Sequence, residues 1–448
     1  MNQILTEPRI HLPKEKRGVK GIVLSEDDYF VMKQLCIHYS MDSKSLHALY
    51  TFIAGGERNS NSITNRLRKL VESGVLVRRK ELIVNRGGGI FIYHYRLGRR
   101  GLDVLVQLQY ITEQEANRVN DQAVRLGVPA AHTKATSKLV NNVFMSYAGN
   151  DSLPIEEIVH LRGSVHPLFG GSPNIDLKGL IIPDWVVERD NIVICLEVDT
   201  VTERRTELDS KYKRYIKLAE EFKLLGKVLI VVFAVVDETV TDVPGEFRLR
   251  RVASIKEYFP IFHEWPENIH FYSMSANRVP GLVSRVLSYR EPTSPLEQTM
   301  FMNEWLELIL SHSTERQPFI KHELDSFYDI NRDKRLDAEF VFSVPKGRVD
   351  RMVSALYVEE GSVRSHQLIR TNLKRNESYN ERHADNPLQL LVCYGDEDLL
   401  QGNVNGLQPI SALYETDFLT WRQWDGIQQI PQLSKVISPY KREMRDIE

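Results

Sequence analysis

The sequence predicts an α+β multidomain chain: a small helical unit ending in a β-hairpin, an α/β unit after it, and a further α/β unit at the C-terminal end. Three observations carry this. The chain has 448 residues, a length that suggests about three domains at ~100–200 residues each. Helical and strand periodicities change over at turn signals, near Gly127 and Pro129 and again across Glu291-Pro292-Thr293-Ser294-Pro295. The charge is uneven: residues 1–110 hold 18 Lys/Arg against 10 Asp/Glu, which leaves −10 on the remainder for a net charge of −2. A basic front on an acidic body points to nucleic acid as the partner of the front.

Residues 1–24 are polar and basic, with Pro8 and Pro13, and read as a flexible arm. Residues 25–108 form the first folded unit. Ser25 with Asp28 caps a helix running to about Tyr39. Asp42 or Ser43 starts a second through Ile53, broken by Gly55-Gly56. Asn59 to Ser73 reads as a third, with Ile63, Leu67, Leu70 and Val71 on one face and Gly74 as its C-terminal cap. The runs Val75–Val84 and Ile90–Leu97 alternate as strands, joined by the glycine-rich turn from Asn85 to Gly89. Three helices and a hairpin make a winged helix-turn-helix, whose third helix enters the major groove of double-stranded DNA. That helix offers Asn59, Asn61, Thr64, Asn65, Arg66 and Arg68, and the wing adds Arg78, Arg79, Lys80 and Arg86. Asparagine can read adenine; arginine can read guanine or hold phosphate. The competing account is a solvated face on a protein–protein module.

Residues 109–128 read as a helical connector. Within 129–290, His132 opens an amphipathic helix, and 152–182 suggest two short strands and a loop. A helix over about Glu203–Leu225, a Val/Ile-rich strand Val228–Val236, a strand at His270–Ser273 and a helix Val279–Tyr289 follow. The chemistry concentrates in 181–215. Pro183-Asp184 opens one apolar run, and a second carries Leu196-Glu197-Val198-Asp199. Alternation puts Glu197 and Asp199 on one face and Leu196 and Val198 on the other. If the two runs are neighbouring strands, Asp184 sits beside Glu197. Three converging carboxylates suit Mg2+ or Mn2+, which activate water and stabilise charge on phosphate. The competing account pairs these acids with nearby Arg204, Arg205 and Lys211.

This stretch resembles the nuclease fold named for its PD-(D/E)XK motif, with Pro183-Asp184 as the PD and Glu197-Val198-Asp199 at (D/E)XK. Asp199 occupies the motif's lysine position. The resemblance implies a lysine supplied from the following helix, with Lys211 as the candidate, and a catalytic set of Asp184, Glu197, Asp199 and Lys211. The longer pattern, LEVD, then TE, then KYKRY, resembles the plasmid replication-relaxation family over residues 25–290. That resemblance implies a winged helix followed by a nuclease-like domain, serving replication or mobilisation of a mobile element. His132 falls in the first helix of that domain and could approach the metal, or merely cap or pack the helix.

Residues 291–448 read either as a worn second copy of the nuclease-like core or as an unrelated α/β unit. At an offset of 160, Leu196, Val198 and Asp199 fall on Leu356, Val358 and Glu359, but Glu197 falls on Tyr357 and Lys211 on Thr371. A true copy would therefore be catalytically silent. It would set Ala355–Glu359 beside Leu390–Tyr394, and would clamp DNA, dimerise the chain or recruit other proteins of the element.

The remaining composition narrows the classes. Hydrophobic content of 42% and charged content of 26% suit a globular protein. No apolar run reaches the ~18 residues of a membrane helix, and the N-terminus has no apolar h-region, so the expected location is the cytoplasm. Cys36, Cys195 and Cys393 lack metal spacing and read as small buried residues. No P-loop, paired-histidine relaxase motif or zinc spacing occurs. Two function classes lead: a metal-dependent endonuclease or nickase, and a non-catalytic DNA-binding regulator or assembly factor that keeps the nuclease fold as a scaffold.

Overall fold

The structure, a computed structural model, describes residues 10–14, 18–56, 58–85, 88–126, 130–150, 153–169, 181–200, 203–240, 248–260, 265–290, 320–323, 340–346, 349–385, 388–394, 411–414 and 434–435. It is mixed α/β. Strands β1 (His11–Leu12) and β2 (Ile22–Val23) pair ahead of α1 (Glu26–His38), which starts in a Ser25–Asp28 capping box. After β3 (Met41–Asp42), Asp42 caps α2 (Ser43–Ile53) by accepting the Ser45 N–H at 2.8 Å. Asn59 caps α3 (Ser60–Glu72) through the Asn61 N–H at 2.9 Å. Gly74 closes that helix with φ +73°, a conformation glycine adopts without steric cost. The hairpin β4 (Leu76–Asn85) and β5 (Gly88–Leu97) joins β3 in a sheet of order β3-β5-β4. The connector divides into two helices, α4 (Arg99–Gln107) and α5 (Glu113–Leu126).

The next unit runs α6 (Ala131–Ala148), β6 (Val159–Leu161), β7 (Trp185–Arg189), β8 (Ile192–Asp199), α7 (Arg205–Leu224), β9 (Val228–Val235), α8 (Arg248–Tyr258), β10 (Ile269–Ser275) and α9 (Val279–Tyr289). The sheet order is β10-β9-β8-β7-β6. Strands β6, β7 and β8 are antiparallel, and β8, β9 and β10 parallel. Of the two strands expected before β7, one, β6, is seen among the described residues; residues 170–180 lie outside them. Helix α8 is not among the elements expected from periodicity.

Alternation divides β8. Ile192, Ile194, Leu196 and Val198 pack with α6 and α9, in a core that is continuous with Leu35, Leu46 and Leu70 of the N-terminal unit. Val193 and Cys195 pack with Leu208, Tyr215 and Phe222 of α7 and Ile255 of α8. At the seam between the N-terminal unit and the sheet, the buried His38 ring stacks on Trp185 at 5.0 Å, and His160 packs edge-on against Trp185 at 5.4 Å. Cys36 and Cys195 are buried and unbridged.

The C-terminal part contributes β11 (Ile320–His322), β12 (Phe340–Lys346), β13 (Val349–Tyr357), α10 (Val363–Arg382), β14 (Leu388–Tyr394), β15 (Ser411–Tyr414) and β16 (Ser434–Lys435), ordered as numbered in one sheet. From β11 to β15 the pairings run antiparallel, antiparallel, parallel, parallel, the same succession as β6 to β10. Both helices that follow the third strand, α7 and α10, have 20 residues. Ala355 lies opposite Leu391, as expected, although β13 ends at Tyr357. The offset of 160 does not describe the faces. Ser354 receives a hydrogen bond from Asn376 of α10 at 3.3 Å, so the even positions of β13 face the helix and Tyr357 lies on the other side. The turn after β13 docks on β10. The Ser273 N–H donates to the Gly361 carbonyl at 2.9 Å, and buried Glu359 accepts from the Tyr272 hydroxyl at 3.0 Å and Arg285 at 2.5 Å.

Candidate functional site

Trp185 pairs with Leu196, so the antiparallel register sets Asp184, one residue before β7, against Glu197. Gly163 helps fix that place. A Cβ there would collide with the Pro183 carbonyl, so glycine lets the chain after β6 press against the Pro-Asp turn. The Asp184 Oδ2 accepts the Val198 N–H at 2.8 Å and lies 3.1 Å from His132 Nε2, which is also 3.1 Å from the Val198 carbonyl. Both neighbours of that nitrogen are acceptors, so it carries the proton. The Asp184 hydrogen bond outweighs burial and raises the His132 pKa.

Glu197 is 3% exposed. Its Oε2 accepts from Lys211 Nζ at 2.7 Å and its Oε1 from the Tyr215 hydroxyl at 2.5 Å. Lys211 and Tyr215 are four residues apart on α7 and therefore share a face. Burial pushes the Glu197 carboxyl up to about 7, against the pull of the Lys211 ammonium and with the push of the Asp184 charge. Burial works against the Lys211 ammonium, but Glu197 and Glu203, the latter at 2.5 Å, outweigh it and hold the lysine charged. Asp199 shares the Glu197 face but turns to α8. It accepts from Arg251 Nε at 2.6 Å, and Arg251 also donates to the Glu203 carbonyl at 2.8 Å.

Asp184, Glu197 and Lys211 are thus brought together, while Asp199 is drawn off by an arginine on the helix the periodicity reading omitted. Tyr215 was missed as well, although its i+4 spacing from Lys211 was legible. Among the described residues, no three His, Cys, Asp or Glu side chains are grouped to hold a metal ion. The donor chemistry near Glu197 still fits a hard cation: two carboxylates and the Val198 carbonyl, with His132 at their margin.

On α3, Asn61, Thr64, Asn65 and Arg68 are exposed, as is the cap Asn59. The Thr64 hydroxyl lies 3.3 Å from His47 Nε2, and Arg68 lies 3.2 Å from Glu72. Arg66 turns inward. It donates to the fully buried Asp28 from Nε at 2.9 Å and from a terminal nitrogen, and to the Val23 carbonyl at 2.7 Å. Arg78, Arg79 and Lys80 are exposed on β4, and Arg86 lies outside the described residues. Helix α6 joins the two regions. His132 meets Asp184, Lys134 meets Glu81 of β4 at 2.7 Å, and Lys138 meets Asp42 at 3.3 Å. No helix among the described residues is long and apolar enough to cross a membrane.

Residues 38–224 match the model of a family described as replication-relaxation, in agreement with the resemblance carried by LEVD, TE and KYKRY. No curated protein matches the chain. Among solved structures, the crystal structure of the small subunit of a heterodimeric restriction endonuclease is similar at 13% identity, over 41% of this chain and 84% of that one, with a TM-score of 0.21. At that score the likeness fixes neither fold nor function.

Proposed function

We propose that the chain is a DNA-binding protein of a mobile element that cleaves or nicks DNA with Mg2+ or Mn2+ during replication or mobilisation. The observation that carries this is the meeting of Asp184, Glu197 and Lys211 at one end of the β7–β8 pair. In this reading α1–α3 and the β4–β5 hairpin form a winged helix-turn-helix on double-stranded DNA. Residues 129–290 form the PD-(D/E)XK nuclease-like core, and the C-terminal sheet forms its silent copy. The family match over 38–224 supports the replication setting.

Asp184 and Glu197 would hold the cation, with the Val198 carbonyl beside them. Bound there, Mg2+ or Mn2+ supplies Lewis acidity and a water of lowered pKa. Tyr215 fixes the Glu197 carboxylate from the far side, and His132 fixes Asp184. Lys211 presents a permanent positive charge where a phosphate would gain negative charge in the transition state. Toward the C-terminal end of β13 the even positions are Met352, Ser354 and Leu356, none an acid that could stand for Glu197. This supports a clamping or partner-binding role for the C-terminal half, including recruitment of other proteins of the element or a homodimer.

A second reading is favoured by one observation. Asp199 stands at the motif's lysine position and is held by Arg251, as in a fold kept for scaffolding by a non-catalytic regulator. The two readings separate on supercoiled plasmid incubated with Mg2+ or Mn2+. Nicking by the wild type and not by Glu197→Ala supports the first. Sequence-specific binding without nicking by either protein supports the second.

A further inference from the structure

The β4–β5 hairpin has two unlike faces. The pairs Arg78–Tyr95, Lys80–Tyr93 and Leu82–Phe91 alternate onto one of them; Arg79–His94 and Glu81–Ile92 take the other. The second face is covered near Glu81 by Lys134 of α6. The first runs outward from a buried root, Tyr95, through half-buried Tyr93 to a tip where Phe91 and Leu82 are 51% and 53% exposed. Its cations lie over its rings: Lys80 Nζ is 3.4 Å from the Phe91 ring centre, and the Arg78 guanidinium 4.6 Å from that of Tyr93. No acid belongs to this face among the described residues. Lone exposed apolar residues mean little. Here two sit opposite each other, in line with a half-buried tyrosine and next to two cations on the same face.

We propose that this face of the hairpin is a stacking platform for unpaired bases of single-stranded DNA. Phe91 would stack one base, Tyr93 edge the next, and Arg78 and Lys80 hold the phosphates between them. Aromatic faces accept any base, and cations beside them follow the backbone, a combination that binds single strands with little sequence preference. An apolar protein partner fits less well, because it would have to bury Arg78 and Lys80 without carboxylates to meet them. The inference rests on the reading of this unit as DNA-binding and adds to it a second substrate form: duplex on α3 and the wing, separated strand on the Tyr93–Phe91 face of the same hairpin.

The test uses the full chain with two labelled probes, an oligothymidylate and a duplex, and follows anisotropy for wild type, Phe91→Ala and Phe91→Trp. Phe91 is exposed, so both variants should fold. The expected result is oligothymidylate binding that Phe91→Ala weakens by roughly tenfold or more and Phe91→Trp retains, with quenching of the new indole. Duplex affinity should change less than about twofold. Duplex binding with no oligothymidylate binding overturns this inference and leaves the duplex reading standing. Binding of neither probe overturns both. Self-association of the wild type that Phe91→Ala abolishes, without oligothymidylate binding, would assign the face to a second copy of the chain and overturn the proposal.

Discussion

The Lys211 ammonium lies 2.7 Å from the buried Glu197 carboxylate, although β8 and α7 hold the two residues 14 positions apart. Removing the cation leaves a charge with no compensation in the core. Lys211→Met should cost about 2 kcal/mol at pH 8, below the ~3–5 kcal/mol of a fully buried pair because the lysine is partly exposed. At pH 5 Glu197 takes up a proton and most of that cost should disappear. Urea melts at the two pH values check this; an equal loss at both would mean that Glu197 stays ionised without its partner.

The Arg66–Asp28 pair gives Arg66 a structural part. Arg66→Ala should destabilise the N-terminal unit by about 3 kcal/mol, since Asp28 is fully buried. Arg68→Ala should stay within about 0.5 kcal/mol of wild type, yet lower duplex affinity and reduce the salt slope by about one unit. Chemical denaturation beside salt-dependent binding distinguishes the two. A stable Arg66→Ala protein with weakened binding would return Arg66 to the DNA interface.

Two neutral histidines line the seam between the N-terminal unit and the sheet. Burial lowers His38 well below its usual range and His160 to about 3. The unfolded chain takes up these protons near pH 6.5, while the folded chain refuses them until far lower pH. Stability from this pair is therefore complete above about pH 6.5 and is lost as pH falls toward 3, with a limiting slope of about 1.4 kcal/mol per pH unit for each ring. Replacing His160 with Phe should flatten the fall between pH 6.5 and 5. An unchanged slope in equilibrium unfolding would show that the seam does not control acid lability.

Local signals were legible where one periodicity ruled. The caps Ser25, Asp42 and Asn59, the paired motif strands and the helix at Val279 follow from residue chemistry and alternation. So did the meeting of Asp184 with Glu197, because a register fixes neighbours across strands. Tertiary choices were not legible. Arg66 and Arg68 look alike in the sequence of α3, and only the fold shows that one reaches Asp28 while the other stays outside. Asp199 likewise shares a face with Glu197, but Arg251 claims it from 52 residues away. In the C-terminal unit a shift of 160 sets Tyr357 in the place of Glu197, whereas the Ser354–Asn376 contact puts a different face against the helix.

The claim that Asp184 and Glu197 converge on one cation is tested most directly by Mn2+ binding to the full chain, read by electron paramagnetic resonance. Wild type should bind one ion. Asp184→Asn and Glu197→Gln should each weaken that site at least tenfold, equivalent to about 1.4 kcal/mol, while their unfolding curves confirm an intact core. Asp199→Asn should leave it nearly unchanged, because Asp199 is engaged with Arg251. Wild type and both variants binding Mn2+ equally, or wild type binding none at millimolar concentration, would contradict the account.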